Sequence, residues 1–121
     1  MIKLKNENLQ ELTEKILDLL TLTSIEIGHR TDAKTLVSLS KIFANDLIQE
    51  RRFGNLNFLQ VKEAFRIGVR FGKDEPFMNI RTFYKWIYSH KKSIDSAYYE
   101  VHTLGKNPAE VPFYQSQKLL K

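Results

Sequence analysis

A chain of 121 residues, 42% hydrophobic and 12% aromatic, can build one packed domain, and that composition excludes disorder along its whole length. It has no cysteine, which excludes a disulfide framework, a thiolate nucleophile and a Cys-based zinc site. The formal net charge of +5 is localised: residues 61–92 carry eight Lys/Arg and three Asp/Glu, while the remaining segments nearly cancel.

The N-terminal run Met1-Ile-Lys-Leu-Lys-Asn-Glu lacks the apolar core of a signal peptide. No window approaches the roughly 20 apolar residues that cross a bilayer. A soluble cytoplasmic protein with no membrane contact is the expectation.

The first helix is expected from Asn8 to Leu20, where Leu9, Leu12, Ile16, Leu19 and Leu20 recur at helical spacing. Thr21 to Gly28 is β-branched and ends in glycine, so it reads as a connecting loop. Asp32 is a good N-cap for a second helix running to about Arg52. Its face of Leu36, Leu39, Phe43 and Leu47, widened by Val37, Ala44 and Ile48, suits a central position. Gly54 reads as its stop, with Arg51 and Arg52 complementing the negative end of the dipole.

Asn57 with Gln60 three residues on resembles a capping box and opens a third helix. Its inward face is Val61, Ala64, Phe65, Gly68, Val69 and Phe71, and the small Ala64 and Gly68 allow a neighbouring helix to come close. Gly72 to Met78, with Pro76, breaks it. The fourth helix starts around Asn79 to Thr82 with Ile80, Phe83, Trp86, Ile87 and His90 inward. It either stops near Lys92 or continues to Leu104, and Ser93 or Ser96 can cap a separate fifth helix. Pro108 and Pro112 break up the tail, which Val111, Phe113 and Tyr114 pin to the bundle, leaving Gln115 to Lys121 frayed or in one last turn. The expected architecture is a single all-α domain, 1–121. It is a compact bundle of four to five helices with an extended Pro-containing tail over 106–121.

Catalytic chemistry finds little support. There is no Gly-x-Ser-x-Gly elbow and no phosphate-cradling glycine loop. His29, His90 and His102 are scattered: His90 is expected to pack beside Trp86 and the other two to be solvated. Asp74 and Glu75 have no third acid nearby and read as a solvated turn rather than a magnesium site. No enzyme, metal or cofactor is expected.

The basic rows are the informative signal. Lys62, Arg66, Arg70 and Lys73 follow one helix side, and Arg81, Lys85, Lys91 and Lys92 the next. Side by side they form one surface that phosphates reward through counterion release, with Tyr84 and Tyr88 placed to stack on unpaired bases. The competing reading is a solvated face kept for solubility. Trp86 belongs to the core. The Gly72–Met78 joint is longer than a helix-turn-helix turn, so contacts to a nucleic-acid backbone or to structured RNA fit better than major-groove readout.

Val61-Lys-Glu-Ala-Phe-Arg-Ile-Gly-Val-Arg followed by Asn79-Ile-Arg-Thr-Phe-Tyr-Lys-Trp-Ile resembles a pattern in small helical proteins encoded by phages and mobile elements of bacteria. It covers roughly residues 36–90 and differs at Asp74-Glu75-Pro76, where a Gly-rich turn is the pattern. The resemblance implies a non-enzymatic accessory factor of phage replication in the host bacterial cytoplasm, binding RNA or DNA through the 61–92 surface. Phages also encode anti-CRISPR inhibitors, so the alternative is a protein that binds an RNA-guided nuclease, its guide RNA, or both. A third reading is a helical adaptor, monomeric or a small homo-oligomer, whose charge is incidental.

Overall fold

In the computed structural model, which describes residues 2–114, helix α1 spans Leu9–Ile27, α2 Ala33–Gln49, α3 Phe58–Phe71 and α4 Ile80–His102. No β-strand forms among the described residues, and Lys3 and Asn57 share one isolated bridge. The fold is all-α, with these four α-helices among the described residues.

Asn8 caps α1, its side chain accepting from the Glu11 backbone N–H at 3.1 Å. The segment expected as a loop after Leu20 is instead the last third of this helix. Its threonines are accommodated by back-bonding: Thr21 and Thr23 hydroxyls donate to the Leu17 and Leu19 carbonyls at 2.8 Å. Burial of Leu19, Leu20 and Thr23 outweighs the weak helix preference of β-branched residues. The helix ends at Gly28, whose φ of 74° is the left-handed conformation glycine adopts without cost. Leu9, assigned by periodicity to the buried stripe, is exposed at the first helical position.

The second helix is shorter than expected. It stops at Gln49, and Arg51–Phe53 forms a separate 3-10 turn. Glu50 is extended, and its carboxylate accepts from the Arg52 backbone N–H and, at 2.9 Å, from Nε. Arg52 thus pairs with a side chain rather than capping α2. The break swings Phe53 into the core, where it is fully buried. Val37, expected to widen the buried face of α2, is exposed.

The capping box of α3 forms as its spacing predicts: Asn57 Oδ1 accepts from Gln60 N and Gln60 Oε1 from Asn57 N, both at 3.0 Å. Asn79 starts α4, accepting from Thr82 N at 2.8 Å. Neither Ser93 nor Ser96 interrupts α4, because Ile94 and Ala97 continue its buried stripe past that point. There is no fifth α-helix among the described residues.

Four phenylalanines, Phe43, Phe53, Phe65 and Phe83, are fully buried. The Phe43 ring lies 5.8 Å from Phe65 and 5.3 Å from Phe83, so α2, α3 and α4 meet in one aromatic cluster. Leu4, in a 3-10 turn over Leu4–Asn6 that periodicity does not reveal, is also fully buried, its N–H donating to the Leu56 carbonyl at 2.8 Å. The tail is pinned as expected through buried Val111 and through Phe113, which packs on His90. The stretch Gln115 to Lys121, expected to fray or form a last turn, lies outside the described residues. Among those described, no helix is long and apolar enough to cross a membrane.

Gly68 sets the approach of α3 to α4. A Cβ there would fall inside the indole ring of Trp86. Gly68→Ala should therefore lower stability by about 1–3 kcal/mol through overpacking, although alanine favours a helix by about 1 kcal/mol. Urea unfolding should show a lower midpoint at unchanged slope, and a raised midpoint would refute the close contact.

Candidate functional site

Gly68 and Trp86 also line a groove of about 730 Å³ between α3 and α4. Ala64, Ile67 and Phe71 of α3 face it, with Thr82, Lys85, Ser89, His90 and Ser93 of α4. Phe113 and the loop carrying Pro76 and Phe77 complete the lining. The volume suits a ligand of small-molecule or single-residue size.

Three of the predicted site cations line this groove: Lys73, Arg81 and Lys85, together with the acids Asp74 and Glu75. Lys85 is ion-paired with Asp74, whose carboxyl is held below its usual range by that hydrogen bond. Among the described residues, Lys73 and Arg81 have no carboxylate within ion-pair distance. The Asp74–Glu75 turn is exposed, as expected.

Lys62, Arg66 and Arg70 are exposed on α3, but none of them lines the groove. Arg66 is held by Glu63, with Nε donating at 2.9 Å, and this hydrogen bond keeps the Glu63 carboxyl below its usual range. Arg70 reaches across to Glu26 of α1. Four cations of the predicted rows, Arg66, Arg70, Lys85 and Lys91, thus carry internal carboxylate partners. Such exposed pairs are weak and can exchange a carboxylate for a phosphate, yet they lower the net attraction for one.

Tyr84 and Tyr88 are half-buried, and their rings meet other side chains. The Tyr84 ring sits 5.4 Å from Phe53 and 6.2 Å from Phe43, and Tyr88 packs edge-on to Phe53 at 5.0 Å. Arg52 lies over the Tyr88 ring at 5.0 Å. Burial, reinforced by the Asp46 carboxylate, pushes the Tyr84 phenol up to about 12. Tyr88, Lys91 and Lys92 line a second, shallower cleft of about 590 Å³ with Arg52 and Tyr99. Lys91 is paired there with Asp95 at 2.7 Å. The single joined surface expected from the sequence is therefore divided into the groove, the outer side of α3 and this cleft.

Two further rings are exposed at the groove. Phe71 is 72% exposed and Phe77 48% exposed, both at the groove. Periodicity assigned Phe71 inward, but it is the last residue of α3, where the helix has run past the core. Phe77 sits in a loop, where no periodicity marks it in the sequence. Its ring approaches His29 at 6.2 Å, so that histidine is not simply solvated. Nor is His102, which stacks on Tyr98 at 4.0 Å and lies 3.0 Å from the Tyr114 hydroxyl.

His90 packs as expected but is incompletely satisfied. It is 7% exposed, meets Phe113 edge-on at 5.2 Å, and its buried Nδ1 has no hydrogen-bond partner among the described residues. Burial holds its pKa below the usual imidazole value and so favours a neutral ring, against the opposing influence of Glu63. An unmet buried polar atom costs about 1–3 kcal/mol. Among the described residues, no group of three or more His, Asp or Glu is placed to hold a metal ion. Comparison with protein-family models, with curated proteins and with solved structures finds no match.

Proposed function

We propose that this protein is a non-enzymatic nucleic-acid-binding factor that holds an unpaired strand of RNA or DNA along the α3–α4 groove. One observation carries the reading: Lys73 and Arg81, cations without an ion pair among the described residues, border the same groove as the exposed rings of Phe71 and Phe77. Single-strand binders combine these two elements, because cations follow the phosphates and any base can stack on an aromatic face. Trp86 supports the groove from beneath rather than stacking, being 8% exposed.

Fluorescence anisotropy with labelled single strands and duplexes over a range of salt tests this reading. Engagement of three phosphates gives a log–log slope of about −2, from roughly 0.7 counterions per phosphate of a single strand. Affinity should then fall by about 20-fold between 50 and 200 mM salt, the single strand binding more tightly than the duplex. Salt-independent binding, or a preference for duplex, would exclude it.

The ion pairs of Arg66, Arg70 and Lys85 favour a second reading. A surface partly neutralised from within and carrying exposed Phe71 and Phe77 also fits a protein partner, as in a phage inhibitor of an RNA-guided nuclease. A partner captured equally well before and after nuclease digestion would select that reading over the first.

A further inference from the structure

We propose that residues 111–114 form a strap that closes one end of the α3–α4 groove with the ring of Phe113 and lifts to admit a strand. The strap stands on the fold alone; its effect on ligand entry rests on the nucleic-acid reading above. Phe113 lines the groove, is half-buried and meets His90 edge-on at 5.2 Å. His90 and Ser93 are the last α4 residues along the lining, so the ring stands at the end away from the loop of Lys73 and Phe77. From Arg81 to Ser93 the helix rises about 18 Å. A strand of about ten nucleotides, at roughly 3.4 Å each or more, outruns that length and cannot fill the groove without meeting the ring.

Two features make the segment separable from the bundle. Phe113 has a φ of 70°, and no other non-glycine residue among those described enters the left-handed region. A bulky side chain is strained there, and such strain persists only where surrounding contacts hold it, as at clamps and switches. The holding contacts here are side chains: buried Val111, the Phe113 ring on His90, and the Tyr114 hydroxyl 3.0 Å from His102. Among the described residues, the backbone hydrogen bonds of the segment are local, Val111 N–H donating to the Pro108 carbonyl and Tyr114 N–H to that of Val111. Lifting the strap therefore breaks no backbone bond to a described helix, and it trades packing of the ring for relief of the dihedral. Closed and lifted forms lie close in free energy, and closure lowers apparent affinity in proportion to the fraction of molecules that are open.

Modification of His90 by diethyl pyrocarbonate, mapped by mass spectrometry, reads the strap without any ligand, because His90 is only 7% exposed while the ring packs on it. Phe113→Ala should speed that modification about fivefold and leave His29, which lies against Phe77, unchanged. Tyr114→Phe, which removes the hydroxyl at His102, should speed it about twofold. Phe113→Ala should also bind a labelled oligodeoxyadenylate of about ten nucleotides about fivefold more tightly than the native chain, through the same shift in population. An unchanged His90 rate in both variants would overturn the strap. Faster modification with weaker or equal strand binding would overturn its role as a closure and make Phe113 part of the binding surface or irrelevant to it. Faster modification with no strand bound by either protein would overturn the nucleic-acid reading and leave the strap standing. Should Phe113→Ala not fold, Tyr114→Phe, altered at an exposed contact, carries both comparisons.

Discussion

Phe43→Ala should lower the free energy of unfolding by about 3–5 kcal/mol, whereas Phe71→Ala should change it by less than about 0.5 kcal/mol. Phe43 has no exposed surface and touches Phe65, Phe83 and Tyr84, so its removal leaves a cavity where α2, α3 and α4 meet. Domains of this size are held by about 5–15 kcal/mol, so a large part of the stability goes with that one ring. Phe71 projects from the end of α3 with most of its surface in water, and its truncation removes little burial. Urea titrations followed through Trp86 fluorescence measure both. The pair separates rings that build the fold from a ring available to a ligand. Equal losses for the two variants would place Phe71 in the core and withdraw it from the groove.

That contrast marks how far the sequence is legible. Helical periodicity found all four helices, the Asn57–Gln60 capping box and the burial of Phe43, Phe65, Phe83 and Trp86, because burial and hydrogen-bond spacing repeat along the chain. It also anticipated the close approach at Gly68, since a small residue on an inward face has few other uses. What it missed depends on tertiary events. Thr21 to Ile27 is helical because buried leucines and back-bonding hydroxyls override a local preference. The early stop of α2 follows from a carboxylate, Glu50, that accepts from Arg52, and from the depth to which Phe53 then inserts. The same insertion sets the Phe53 ring edge-on against Tyr84 and Tyr88.

The site was legible only as a region. A run of eight Lys/Arg within residues 61–92 is visible in the chain, and most of these side chains do lie exposed. Their partners were not visible. Glu26 is forty-four residues from Arg70, and its contact exists only because α1 packs against α3. Asp74 meets Lys85 because the loop folds back along α4. Periodicity places a cation on the outside of a helix. It does not say which carboxylate the fold brings to it, and that decides which cations remain available for phosphate.

Lys73→Glu with Arg81→Glu should therefore weaken single-strand binding by about 100-fold at moderate salt, with the salt slope shallower by about 1.4 for two lost phosphate contacts. Each reversal removes an attraction and adds a repulsion beside Asp74 and Glu75, which already carry negative charge at the groove. Arg66→Ala with Arg70→Ala should cost less affinity, because both guanidiniums are engaged by Glu63 and Glu26 and neither lines the groove. Its unfolding midpoint should shift slightly, since two carboxylates lose their partners. Lys34→Glu with Lys41→Glu, at exposed positions on α2, changes net charge as much as the groove reversal and serves as its control. Anisotropy titrations of all three at matched salt, with thermal unfolding of each, give the order. A loss that merely tracks net charge would reduce the interaction to nonspecific attraction. A larger loss from the α3 arginines would move the interface to the outer side of that helix. Only a loss concentrated at Lys73 and Arg81 locates the phosphates at the groove, where cations without an ion pair among the described residues and the exposed rings of Phe71 and Phe77 lie together.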